Sequence, residues 1–131
     1  MNRIEATVTA IEQHDNISIV SFEAEGRPMR MMALDLTLPV EVGSRVILGF
    51  KASHVALGRR LSGEISLSNR LDAVIESVET GALLGSVMLR VGPALIESII
   101  TRESAERMHL KAGDAITALI KASDLSVMEV S

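Results

Sequence analysis

Cysteine, tryptophan and tyrosine are absent from this 131-residue sequence, and phenylalanine occurs only twice. Without cysteine the chain can form no disulfide, no thiolate metal site and no cysteine nucleophile. Few aromatic side chains are available to stack on bases, and the net charge is −4, so we expect neither nucleic acid nor a membrane as a partner. No apolar run has the length of a membrane span, and the N-terminus lacks a signal-peptide core, which favours a cytoplasmic protein.

Patterns typical of catalysis or metal binding are also missing. His14, His54 and His109 are scattered over predicted turns and show no ligand spacing. Carboxylates are numerous, but none stands in a pattern with a nucleophile or a metal ligand. We therefore predict no bound metal cation and no enzymatic activity.

The sequence does contain an internal repeat. Residues 2–12 match residues 69–79, and residues 42–57 match residues 112–127, where Lys-Ala-Ser recurs. The offset grows from 67 to 70, so the second copy carries three extra residues in its middle. Two ends in register with one small insertion indicate a tandem duplication.

The duplication predicts a first unit over residues 1–60, which is degenerate, and a second over 61–131. Hydrophobic residues make up 47% of the chain, which is a high proportion for two such small units. Apolar surface that the units cannot bury alone favours a homo-oligomer, either a trimer or a dimer.

Strands are predicted for most of each copy. Ile4, Ala6, Val8 and Ala10 alternate with polar residues, the pattern of a half-buried strand. The second copy also predicts one short helix within residues 101–114, for which Thr101 is the N-cap. The corresponding part of the first copy is shorter and contains Pro39, so no full helix is expected there.

The start of that helix is a candidate anion site. Free backbone N–H groups, the hydroxyls of Thr101 and Ser104, and the ammonium group of Lys121 would together suit a tetrahedral oxyanion. The same residues have an ordinary structural interpretation, because threonine commonly caps helices and lysine in a turn is commonly solvated. Residue types alone leave both interpretations open.

A longer sequence pattern favours the anion-site interpretation over the purely structural one. The segments "ITRESA", "LKAGD" and "TALIKASDL", with "SLSNRL" ahead of them, resemble the molbindin (Mop) branch of the TOBE domains over residues 66–127. Through the repeat, the whole chain is similar to tandem di-Mop proteins. The resemblance implies an all-β fold with one short helix, built as two tandem OB-like five-stranded barrels. It also implies oligomers made by strand exchange, with molybdate or tungstate bound at interfaces between copies.

The resemblance places ligand contacts residue by residue. Ser68 occupies the position where the family has arginine, so one cationic contact is missing, and Arg70 is a nearby candidate to replace it. The first copy keeps only part of the pattern, since Lys51 and Ser53 remain but the Thr-x-x-Ser-Ala segment does not. The predicted oxyanion contacts are Ser66, Ser68, Asn69, Thr101, Ser104, Lys121, Ala122 and Ser123, with Lys51 and Ser53 from the first copy.

These features predict a cytoplasmic protein that stores, buffers or senses molybdate or tungstate. A site built only from hydrogen-bond donors would disfavour phosphate, which carries a proton near neutral pH and needs an acceptor. The alternative is a ligand-free interaction or regulatory module on the same fold, which the loss of the arginine and the eroded first copy would favour.

Overall fold

Two curled five-stranded antiparallel sheets form the computed structural model, which describes all 131 residues. One short helix, α1 (Arg102–Arg107), follows the eighth strand. The ten strands are β1 (Asn2–His14), β2 (Ile17–Ala24), β3 (Arg27–Leu34), β4 (Arg45–Phe50), β5 (Ala56–Gly58), β6 (Asn69–Thr80), β7 (Leu84–Val91), β8 (Ala94–Thr101), β9 (Ala115–Ile120) and β10 (Ser126–Val130).

Each sheet takes its fifth strand from the other half of the chain. The strand orders are β10-β4-β1-β2-β3 and β5-β9-β6-β7-β8, so the C-terminal strand completes the first sheet and β5 completes the second. The predicted all-β fold with two five-stranded units and one short helix is confirmed. The predicted boundary between residues 60 and 61 falls in the non-strand segment 59–68 and stays a prediction.

The duplication is visible strand by strand. β2 and β7 have the same alternation of buried and exposed residues, and so do β4 and β9. Ile4, Ala6 and Val8 point inward along β1 as predicted, and so does Asn2, which the prediction did not include. Ala10 does not, because the register against β2 shifts between Val8 and Ala10, and the bulge moves Ala10 to the exposed face.

The inward faces of both sheets meet in one continuous core. It contains Val20, Leu48 and Phe50 from the first half and Leu71 and Ile120 from the second, all nearly inaccessible to solvent. Because a single core spans both sheets, packing as well as strand exchange fixes one half against the other. Residues of both halves can therefore form a site of defined geometry.

The three extra residues of the second copy lie between β8 and β9, where α1 forms. The Thr101 hydroxyl accepts a hydrogen bond from the Ser104 N–H at 3.1 Å, so the predicted N-cap is confirmed. Between β3 and β4 no helix forms, in agreement with the interpretation of Pro39. The chain has no helix of the length and apolar character needed to cross a bilayer.

Candidate functional site

An open cleft of about 410 Å³ lies where the first and second halves meet. Five of the ten residues predicted from the sequence line it, although they come from two segments more than fifty residues apart. The cleft is lined by Ser66, Ser68, Lys121, Ala122 and Ser123 from the second half, and by Glu12, Ile19, Arg30 and Met32 from the first.

The Lys-Ala-Ser segment is held in place by the residues on either side of it. Ile120 and Leu125 are both buried, so the chain is fixed before and after the segment. Between them Ala122–Asp124 form one turn of 3-10 helix, in which the Asp124 N–H donates to the Lys121 carbonyl at 3.0 Å. Lys121 and Ser123 consequently remain exposed on a rigid turn, which packs against β3.

Asn69 connects the two sides of the cleft. Its side-chain oxygen accepts from the Arg30 N–H at 2.7 Å, and its side-chain NH₂ donates to the Arg30 carbonyl at 3.0 Å. Asn69 is fully buried, and this paired hydrogen bond satisfies it. The side chain of Asn69 therefore positions the strand that carries Arg30, and its amide is already occupied by that strand.

Sequence reasoning missed the contribution of β2 and β3. Arg30, Ile19 and Met32 line the cleft although none of them belongs to the segments that carry the family pattern. Arg70, the sequence candidate for the missing cation, is not among the lining residues. The one available signal was that Arg30 aligns with Glu97 at the 67-residue offset, so a charge is reversed between the copies.

The expectation of a site made only of donors is wrong for this cleft. Glu12 lies at the end of β1 and contributes a carboxylate to the lining. A carboxylate accepts hydrogen bonds, so the cleft can in principle satisfy a protonated anion. Exclusion of phosphate therefore cannot rest on the lack of an acceptor.

The remaining predicted residues lie elsewhere in this chain. Thr101 and Ser104 sit at the start of α1, where their hydroxyl groups hydrogen-bond each other at 3.0 Å. Lys51 and Ser53 lie on the first-half counterpart of the Lys-Ala-Ser turn, which packs against β8. Neither pair lines the cleft, so their part in a ligand site stays a prediction.

The side chains in the cleft suit a small oxyanion. Lys121 and Arg30 offer two cations against the one carboxylate of Glu12, and serine hydroxyls can donate to oxygens that only accept. Nowhere does the chain bring three His, Asp or Glu side chains into an arrangement that could hold a metal ion. By charge and by hydrogen-bond donors, the lining of the cleft suits an anion better than a cation.

Comparison with known proteins identifies the scaffold. The TOBE domain family matches residues 65–127. The crystal structure of the cytoplasmic molybdate-binding protein ModG with molybdate bound has a TM-score of 0.91 and 26% sequence identity, over 96% of this chain and 94% of ModG. Molybdenum-pterin-binding protein 1 of Clostridium pasteurianum is 32% identical over 65 residues, which are 49% of this chain and 96% of that protein.

A third relative is larger. The molybdate/tungstate import ATP-binding protein WtpC of Pyrococcus horikoshii is 26% identical over 110 residues, which are 84% of this chain. The same match covers only 32% of the length of WtpC. The shorter relative is matched almost end to end, and the fold of ModG matches that of this chain over 94% of ModG. The chain therefore belongs to the TOBE domain family, in its molbindin (Mop) branch, with two Mop-like units in tandem.

Proposed function

We propose that this protein binds molybdate or tungstate as the tetrahedral oxyanion, and that the cleft between its two halves forms at least part of the site. The observation that carries the proposal is the convergence of Ser66, Ser68, Lys121, Ala122 and Ser123 on one cleft. Two relatives named for molybdate and one named for a molybdenum compound support the choice of anion.

Recognition in this cleft would rest on charge and hydroxyl donors. The Lys121 ammonium and the serine hydroxyls can each donate to a separate oxygen of a tetrahedral anion. A hydrogen bond to a charged partner contributes about 1.5–3 kcal/mol, so the loss of one donor from the site should weaken binding measurably. Sulfate would be discriminated by its smaller size, since the serines and the turn are held by the fold.

We also propose that the complete site needs a second copy of the chain. The Thr101 hydroxyl donates to the Ser104 hydroxyl, which leaves the Ser104 O–H to donate to an anion, but both residues lie outside the cleft of their own chain. A neighbouring copy of the chain would therefore bring them to it. Exposed apolar side chains support a homo-oligomer, trimer or dimer, because a monomer would leave them in water. They include Leu34, Val42, Leu83 and Leu84, of which Leu83 is 80% exposed.

The cellular role follows from binding alone. We propose a cytoplasmic protein that stores, buffers or senses the oxyanion without transforming it. The description of ModG as cytoplasmic and molybdate-binding supports this role. Neither nucleic acid nor a membrane is proposed as a partner.

The test is calorimetric titration with molybdate, tungstate and sulfate. Submicromolar binding of the first two and none of sulfate is expected. Lys121→Ala should weaken binding about 10- to 150-fold, which corresponds to one charge-assisted hydrogen bond. The matched control is Lys111→Ala, because Lys111 is also exposed but does not line the cleft.

One observation favours a second candidate function. Ser68 stands in the cleft at the position where the family has arginine, so the site could have lost its ligand while the fold was kept for protein interaction. Under that alternative no anion releases heat on titration, and none raises the melting temperature. A ligand at 100 times its Kd would raise the unfolding free energy by about 2.7 kcal/mol, so the two functions differ measurably.

A further inference from the structure

The two halves of the chain hold each other by the same hydrogen-bond pair. Asn69 binds the backbone of Arg30 on β3, and Asn2 binds the backbone of Glu97 on β8. In the second pair the Asn2 side-chain NH₂ donates to the Glu97 carbonyl, and the Glu97 N–H donates to the Asn2 side-chain oxygen, both at 2.8 Å. Asn2 and Asn69, like Arg30 and Glu97, are separated by the 67-residue offset of the repeat.

Arg30 and Glu97 therefore occupy equivalent places with opposite charge. Each lies on the strand that packs against a Lys-Ala-Ser turn: Lys121–Ser123 against β3 and Lys51–Ser53 against β8. The duplicated fold thus offers two equivalent corners, one with a guanidinium group and one with a carboxylate. An anion near a carboxylate is repelled, so the two corners cannot have the same affinity for it.

We propose that Arg30 supplies the cation that the family normally takes from the position of Ser68, and that Glu97 prevents the corner at Lys51 from binding the oxyanion. This inference rests on the proposed function and deepens it, since it assigns the second cation of the site and restricts the site to one of two equivalent corners.

The side chain of Arg30 is available for this role. Arg30 is exposed and uses only its backbone in hydrogen bonds within the chain, whereas Arg59, Arg90, Arg102 and Arg107 all make side-chain ion pairs. Arg30 and Ser68 line the same cleft and also share the adjoining one of about 330 Å³. Because Asn69 binds the Arg30 backbone directly, its neighbour Ser68 is held beside Arg30.

The repeat counterparts at the other corner carry the opposite charge. The carboxylate of Glu97 accepts a hydrogen bond from the Ser86 hydroxyl, and Ser86 is the repeat counterpart of Ile19 in the cleft. Glu79, the counterpart of Glu12, faces the same groove as Ser86. By the repeat, the counterparts of Arg30 and Glu12 are both carboxylates, Glu97 and Glu79, whereas the Lys121 cleft has two cations for one carboxylate.

The experiment titrates tungstate and molybdate into the full-length chain and its variants by calorimetry. Arg30→Ala is expected to weaken binding at least about tenfold, and Arg30→Lys is expected to retain part of the affinity because it keeps the charge but not the planar fork. Arg70→Ala is the matched control, since Arg70 is an exposed arginine one residue beyond Asn69 that does not line the cleft. It is expected to bind like the unmodified chain.

Rescue distinguishes a replaced cation from a general loss of positive charge. Ser68→Arg combined with Arg30→Ala restores the arginine at the family position, and it is expected to recover most of the lost affinity. Failure to recover would overturn the assignment, provided that the double variant melts at the temperature of the unmodified chain without ligand. Unchanged binding by Arg30→Ala would overturn it as well.

A separate variant tests the second part of the inference, that the Lys51 corner does not bind the anion. Lys51→Ala is expected to leave both the affinity and the number of bound anions unchanged, and a fall in either would show that the Lys51 corner binds. If Lys121→Ala abolishes binding while Arg30→Ala does not, the inference fails and the proposed function stands. If the unmodified chain binds neither anion, both fail.

Discussion

Replacing Asn69 by alanine is expected to lower both stability and oxyanion affinity, whereas Asn2→Ala should lower stability alone. Each side chain makes two hydrogen bonds to one backbone residue of the opposite half, at 2.7–3.0 Å for Asn69 and 2.8 Å for Asn2. Of these two asparagines, only Asn69 hydrogen-bonds the backbone of Arg30, which lines the cleft. The pair of variants therefore separates positioning of the site from stability of the fold.

The size of the stability loss follows from those bonds. Two hydrogen bonds contribute about 1 kcal/mol each, and backbone groups left without partners cost about 1–3 kcal/mol when buried. Water can reach part of β3 and β8, which are outer strands of their sheets, so about 2–4 kcal/mol is expected for either variant. For a chain of this size that is a fall of roughly 10 °C in melting temperature.

The assay is thermal unfolding without ligand, followed by titration with molybdate at a temperature where both variants are folded. Similar melting temperatures with a raised Kd only for Asn69→Ala would support the reasoning. Equal affinities for the two variants would refute it, because the hydrogen bonds of Asn69 would then contribute to stability but not to the placement of Arg30.

Three further variants test how the linker, the exchanged strand β10 and helix α1 are held in place. Arg59→Ala removes an ion pair to Asp114 at 3.0 Å and a hydrogen bond to the Met108 carbonyl at 2.8 Å, and it should cost about 1–2 kcal/mol in urea unfolding. Deleting residues 126–131 removes β10 from the first sheet and should lower the unfolding free energy by roughly 3 kcal/mol or more, at about 1 kcal/mol per lost hydrogen bond between the strands. The deletion also leaves β4 as an exposed edge strand, so we expect aggregation that light scattering would detect. Ala105→Leu overfills the contact of α1 with β7 and should cost about 1–3 kcal/mol in thermal unfolding.

Each of these has an outcome that contradicts it. The control for Arg59→Ala is Arg60→Ala, whose side chain makes no ion pair, and equal stability of the two would remove any role of the salt bridge in fixing the linker. A truncated chain that stays soluble with an unchanged unfolding midpoint would mean that β10 does not hold the first sheet together. An unaffected Ala105→Leu would mean that α1 can move away from β7 at little cost.

Local features of the fold were accessible from the sequence. β4 and β9 coincide with the apolar segments 45–50 and 115–120, and Thr101 caps α1, because strand pattern and capping depend on near neighbours. The bulge that turns Ala10 outward was missed, since a bulge depends on the partner strand as much as on its own residues. The exchange of β5 and β10 was not predicted within one chain for the same reason.

The candidate site likewise contains residues that the sequence pattern predicted and residues that it did not. Ser66, Ser68 and Lys121–Ser123 belong to one family pattern over residues 66–127, and all five line the same cleft. Arg30 could not be found in this way, because it reaches the cleft only through the fold, by the bond of its backbone to Asn69. When one half of the chain contributes a residue to a site in the other half, the spacing of residues within either half does not reveal it.

The most direct test of the central claim is to locate the anion. A crystal of the chain grown with tungstate, measured at the tungsten absorption edge, should show an anomalous peak in the cleft between the Lys121–Ser123 turn and Arg30. A peak confined to the Lys51 corner, or no peak in the cleft at a tungstate concentration well above the measured Kd, would contradict the account.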